Sequence, residues 1–195
     1  MNYLYENMNL IDQITACRLC DEALPFGARP VIQASPVAKI LISGQAPSLK
    51  VHQTGKLFND QSGKTLRDWL GVTEAQFYDP DLFAIVPMAF CYPGKGKSGD
   101  LPPPKICAQT WQQPLQAYFK QIHLHILVGQ YSQRYYCKNY KSVTQQVQQW
   151  PSMLPRRIAL PHPSPRNQPW RAKNPWFEQD LVPRLRTNIQ KLIDS

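Results

Sequence analysis

Val37-Ala38-Lys39-Ile40-Leu41-Ile42-Ser43-Gly44-Gln45-Ala46-Pro47 carries a short apolar run, rich in branched residues, that stops at glycine and is closed by proline. Such a run is too short for a helix and lacks polar alternation, so it reads as a strand buried on both faces, over 37–44. Three further segments repeat the pattern, at 82–90, 123–129 and 157–162. Between and after them the spacing predicts helices over 63–70, 107–121, 131–149 and 174–193. In the last, Trp176, Leu181, Leu185, Ile189 and Leu192 form an apolar stripe at three-to-four spacing. Strand and helix in alternation specify the α/β class: a three-layer α/β/α sandwich around a four-stranded, mainly parallel sheet. Parallel neighbours need a crossover that returns over one face of the sheet. Ligands of such folds collect beyond the carboxyl ends of the strands. Gly44-Gln45-Ala46-Pro47, Cys91 and His162-Pro163-Ser164-Pro165-Arg166-Asn167 follow the first, second and fourth strands, while Gly129-Gln130-Tyr131 after the third reads as a simple turn.

The 195 residues suit one domain, 1–195, with an N-terminal arm at 1–36. An apolar fraction of 43%, with 5 Trp, 9 Tyr and 7 Phe, is enough for a real core and excludes a disordered basic tail. No stretch approaches the roughly 18 apolar residues of a membrane span. The start, MNYLYENMNLIDQ, lacks the basic and apolar regions of a signal peptide, so a soluble, cytoplasmic monomer is expected. Lys and Arg number 22 against 13 Asp and Glu, a formal charge of +9 that favours a polyanionic partner through counterion release. Residues 151–195 hold eight of the cations and only three of the anions, so the last quarter is expected to contribute to any binding face. The tract 92–104, rich in Gly, Pro and Lys, is expected to form an exposed basic loop carrying Lys95 and Lys97.

Cys17 and Cys20 stand two residues apart, a gap that suits a metal centre, a redox motif or coincidence. Cys91 and Cys107 flank the basic loop and extend the pair to four thiols, which suit zinc or an iron–sulfur cluster equally by residue type. Cys137 has no partner by spacing and reads as a helix core residue. Between the first strand and the next helix, Thr54-Gly55-Lys56-Leu57-Phe58-Asn59-Asp60-Gln61-Ser62-Gly63 forms a long ordered turn with an aromatic residue in its middle.

In this order, the strand-end Gly44-Gln45-Ala46-Pro47, the Phe58 turn, the four cysteines and the terminal His162-Pro163-Ser164 motif resemble the uracil-DNA glycosylase superfamily, nearest its iron–sulfur families four and five. The likeness runs from about residue 17 to residue 185. It implies a DNA repair glycosylase that removes uracil, or a related deaminated base, from DNA and leaves an abasic site. It also implies a [4Fe-4S] cluster on Cys17, Cys20, Cys91 and Cys107, with zinc as the alternative. Phe58 would stack on the flipped base while the backbone at Gln45 and Ala46 binds its edge. His162 would stabilise the oxygen that gains charge as the base departs, so the implied catalytic residues are His162, Gln45 and Asp60. Ser164, Pro165 and Arg166 match a loop pressed into the minor groove. Ser62 and Gly63, before a helix, and Lys95 and Lys97 would extend the contact along phosphates.

The chain departs from the resembling families at several positions, which makes it a divergent branch. Ala46 stands where family one has an acidic residue that activates water. Val51 and His52 stand where family four has Glu and Asp, leaving His52 and the Asn59-Asp60 pair to orient a water. Pro87 replaces the family four Asn that reads uracil's edge, and proline has no amide side chain. These departures keep a second expectation open, a non-catalytic iron–sulfur protein of the same fold that binds nucleic acid. A covalent trap is not expected, because residues 92–106 contain no histidine.

Overall fold

The structure is a computed structural model that describes residues 8–195; the first seven residues of the arm 1–36 lie outside the described residues. Its strands, in chain order, are β1 (Ile40–Ser43), β2 (Phe83–Ile85), β3 (Lys95–Gly96), β4 (Gly99–Asp100), β5 (Leu124–Val128) and β6 (Arg157–Leu160). The α-helices are α1 (Leu10–Thr15), α2 (Leu49–Thr54), α3 (Gln61–Leu70), α4 (Glu74–Phe77), α5 (Lys105–Tyr118), α6 (Gly129–Tyr136), α7 (Val143–Gln148), α8 (Trp150–Met153), α9 (Gln168–Lys173) and α10 (Val182–Ile193). Four strands make the central sheet in the order β2-β1-β5-β6, and every pairing in it is parallel.

Because both faces are covered, β1, β2 and β5 are buried residue by residue, as their unbroken apolar runs require. Alternate side chains separate into two cores. Ile40, Ile42, Phe83, Ile85, Leu124 and Ile126 pack against Leu66, Trp69 and Leu70 of α3 and Leu185 and Ile189 of α10. Leu41, Ala84 and Val86 face the other way, toward Ile14 of α1 and Leu115 of α5. The result is the expected α/β/α sandwich. The chain runs from β1 to its neighbour β2 and then crosses back past β1 to β5, so the strand order reverses at β1 and a crevice opens at the carboxyl ends there.

The second strand is shorter than the 82–90 run, because Pro87 has no N–H for a ladder. The segment still hangs on the first strand's continuation: Met88 N–H donates to the Gly44 carbonyl at 3.0 Å and Ala89 N–H to that of Gln45 at 3.2 Å. The helix expected over 131–149 is two helices. Cys137 turns extended after α6, and the Ser142 hydroxyl accepts from Gln145 N–H at 3.2 Å to start α7. The helix expected over 174–193 opens as a π-helical stretch, Phe177–Leu181, and becomes regular only around Pro183 in the first turn of α10. The tract 92–104 is exposed only in part: Tyr92, Pro93 and Gly94 are buried, and β3 and β4 form a small antiparallel hairpin that lifts Lys95 and Lys97 into solvent. No helix among the described residues is long and apolar enough to cross a membrane.

Candidate active site

A cleft of about 550 Å³ lies at the carboxyl ends of the four sheet strands. Its walls come from Gly44, Gln45 and Ala46 after β1, Pro87 after β2, Gln130 and Tyr131 after β5, and His162 after β6. Phe58, Asp60 and Ser62 from the long turn close one side, and Ser98, Gly99, Asp100, Ser164 and Arg166 form the rim. Residues from six separated stretches of sequence therefore meet in one concavity.

Phe58 is fixed with unusual stringency. It is the one non-glycine residue at positive φ, 52°, among the described residues, a conformation that costs an ordinary side chain about 1–2 kcal/mol. Arg67 Nη1 holds its carbonyl at 3.1 Å, the Tyr78 hydroxyl holds that of Leu57 at 2.8 Å, and Phe77 meets its ring edge-on at 6.2 Å. The ring lies over Gly44, where a Cβ would come 3.6 Å from Phe58 Cζ. Gly63 completes the support. Its amide donates to Asp60 Oδ1 at 2.9 Å, and a Cβ there would sit 1.6 Å from the Phe58 carbonyl oxygen. The Gly63 amide is thus engaged with Asp60 rather than open to a phosphate, while Ser62 remains on the cleft wall.

His162 receives a hydrogen bond at Nδ1 from Ser164 N–H, 3.2 Å long, and Asn167 Nδ2 ties down its carbonyl at 2.7 Å. Since Nδ1 accepts, the proton of the neutral ring sits on Nε2. Burial lowers the His162 pKa below its usual 6.5, and the nearby Asp60 carboxylate opposes this less strongly. Asp60 caps α3 through Oδ1. Asp100, across the rim, has its pKa raised by burial, with Arg166 and Lys95 pulling the other way and Asp60 reinforcing the rise. Arg166 reaches the Ser98 carbonyl at 2.8 Å and bridges the His162 loop to the hairpin. Of the candidates for orienting a water, His52 faces Phe26 and Tyr92 outside the cleft, Asn59 bonds to Thr54, and Asp60 alone lines the cleft.

Gln130, Tyr131 and Asp100 escaped the sequence reading. The first two follow the third strand, which the rule that located the other sites also marks, and Asp100 was obscured by the cationic tract around it. Pro87 stands in the wall with its carbonyl already accepting from buried Gln112 Nε2 at 3.1 Å.

A second cavity is lined by Cys17, Cys20, Cys91 and Cys107, with apolar walls that include Leu24, Phe90, Ile106 and Trp111. Cys137 lies elsewhere, at the end of α6. Burial raises the thiol pKa of Cys91 to about 11 and of Cys107 to about 12; Cys17 and Cys20 add to the rise at both, and Cys91 adds to it at Cys107. Burial and then Cys17 raise that of Cys20. All four are free thiols, and no imidazole or carboxylate joins them on the cavity wall, a donor set that fits a thiolate-ligated cluster. Among the described residues no three His, Cys, Asp or Glu side chains converge as a site for a single ion.

A family model described as the uracil DNA glycosylase superfamily matches residues 32–186. That span holds the sheet, the cleft and both later cysteines, and with the strand-end motifs meeting in one cleft it settles the family: the chain belongs to the uracil-DNA glycosylase superfamily.

Proposed function

We propose that the protein hydrolyses the N-glycosidic bond of uracil, or of a related deaminated base, in DNA and leaves an abasic site. The observation that carries this reading is the state of His162: a neutral ring, held at Nδ1, with its Nε2 proton available in a cleft sized for a base. When C1′–N1 breaks, the electron pair leaves with the base and charge grows on its carbonyl oxygens. A fixed neutral donor stabilises that charge without first taking a proton from solution. The N–H groups of Gln45 and Ala46 serve no backbone acceptor among the described residues and lie in the same wall, suited to the base edge. Phe58 supplies the stacking surface.

Water must then add to C1′ and lose a proton. Ala46 has no group for this, so the work falls to the carboxylates in the cleft. Asp60 retains Oδ2 while Oδ1 caps the helix, and Asp100 has the raised pKa of a better base. Pro87 offers no amide to distinguish uracil, which supports including other deaminated bases. Cys17, Cys20, Cys91 and Cys107 would hold a [4Fe-4S] cluster. Bound there, the group would cross-link the N-terminal arm, the segment after β2 and α5, and no step of the hydrolysis runs through it.

The test is alkaline strand scission of labelled oligonucleotides carrying one uracil, hypoxanthine or xanthine, single-stranded and in duplex. His162→Ala should lose about 10²–10³ in rate. Asp60→Asn and Asp100→Asn rank the two carboxylates, the larger loss marking the group that orients water. The native enzyme should hold its rate through neutral pH and lose it only on acidification beyond the ordinary histidine range, as His162, its pKa lowered by burial, at last gains its proton. No base release in any context, with DNA binding retained, would instead establish the non-catalytic binder that Ala46 and Pro87 favour.

A further inference from the structure

Phe26 is 60% exposed, yet it is held in place. Its ring lies near-parallel to Tyr92, at 27° and 6.1 Å between centroids, and against His52 at 5.6 Å. Tyr92 is itself 4% exposed, so the ring rests on a firm base. The segment carrying it is pinned on both sides. Ala28 N–H donates to Asp21 Oδ1 at 2.6 Å, and the Arg29 guanidinium holds the carbonyls of His52 and Gln53 at the end of α2.

This shelf adjoins the cleft. His52 follows Val51, which lines it. Pro25 and Leu101 both crowd Gly94, where a Cβ would meet them at 3.3 and 3.4 Å, and the Leu101 carbonyl accepts from Gln45 Nε2 at 3.1 Å. Leu101, 43% exposed, extends the apolar surface toward Gln45. Exposed cations stand close in the chain: Arg29 three residues after the ring, and Lys50 two before its support His52.

A flat apolar ring face, open on one side and beside the cleft, is what a nucleobase requires of a stacking partner. In a duplex both faces of every base are already covered by neighbours. Only an unpaired strand can lay a base on this ring. We propose that Phe26 is the stacking platform for an unpaired base flanking the one held in the cleft, so that the substrate of this protein is single-stranded DNA. The inference rests on the reading that the cleft takes a base from DNA.

The experiment titrates the purified, cofactor-loaded protein into a fluorescein-labelled single strand with one uracil. The same sequence as a U·G duplex, and single strands with an abasic spacer on either side of the uracil, complete the set. Phe26→Ala should weaken single-strand binding about 5- to 150-fold, leave duplex binding within about twofold, and lose nothing further on the strand whose spacer removes the stacked base. Phe26→Trp should retain tight binding and show quenching, on adding single strand, beyond that of the native protein. Equal losses on single strand and duplex, or no added quenching, would overturn the proposal; unchanged circular dichroism excludes misfolding as the cause. Neither readout depends on cleavage. A protein that cleaves no base yet shows the quenching refutes the glycosylase reading alone, and normal cleavage with no effect at Phe26 refutes the platform alone.

Discussion

Phe58 and Gly63 form a single device: the phenylalanine accepts a left-handed backbone so that its ring covers Gly44, and the glycine lets α3 begin directly against the phenylalanine's carbonyl. No side chain fits there, since a Cβ at 1.6 Å from an oxygen lies far inside any contact distance. Backbone must move, and the backbone that moves is that of Phe58, the proposed stacking residue. Gly63→Ala should therefore cost about 3 kcal/mol, at the upper end for overpacking, and lower Tm by about 10 °C. Base release should fall with it, because Phe58 is displaced from the base's plane. Lys64→Ala, exposed on the same turn of helix, should change neither. Thermal melting and the strand-scission assay on the two variants decide the matter. A Gly63→Ala protein with native Tm would show that α3 can start without the close approach.

At the scale of elements, the four sheet strands could be read from the chain because continuous apolar runs have few other uses, and their ends marked most of the cleft. What stayed hidden depends on contacts across the fold. The break between α6 and α7 comes from an extended Cys137 and a cap at Ser142, weaker signals than the helical composition around them. The α2 helix, six residues long, is set by Ser48 at its start and Gly55 at φ 70° at its end, between the strand-end motif that closes at Pro47 and the turn expected from Thr54. His125 was hidden for another reason: on an apolar strand it reads as part of the run. It is buried beneath the sheet, its Nε2 is 2.9 Å from the Ser43 hydroxyl on β1, and its ring meets Tyr136 of α6 edge-on at 4.5 Å. Burial, aided by Arg157, lowers its pKa to about 3. The unfolded chain, with an ordinary value near 6.5, then binds the extra proton throughout that interval. Stability should thus be complete above about pH 6.5 and fall as pH drops toward 3, by about 2 kcal/mol between pH 7 and 5. Urea midpoints at the two pH values should show this slope in the native protein and a shallower one in His125→Gln. Equal slopes would mean that other groups carry the acid sensitivity.

For the whole molecule, a charge of +9 means little until its location is known. The C-terminal quarter holds the densest excess, but much of it serves as structural staples. Arg157 donates to the Tyr136 carbonyl, Arg186 to that of Asp68, and Arg171 pairs with Glu178. Arg184 and Lys191 line a separate groove beside Trp150 and Pro155, away from the strand ends. Of the eight cations only Arg166 reaches the cleft rim, and it does so through the Ser98 carbonyl. Lys95 and Lys97, by contrast, ride on the exposed hairpin whose next three residues line the cleft. Their side chains have no ion-pair partner among the described residues, so they can exchange solvent and counterions for phosphates at little conformational cost. Each phosphate neutralised contributes roughly 0.7 to the salt exponent on single strands and 0.9 on duplexes. Replacing both lysines by glutamine should therefore reduce the slope of log affinity against log salt by about 1.4–1.8 and weaken binding most at low salt. Replacing Arg184 and Lys191 by glutamine removes the same formal charge from the far groove and should leave that slope unchanged. If the two double variants lose slope equally, the protein would be attracting DNA through its net charge, and the hairpin would have no special place on the phosphate track.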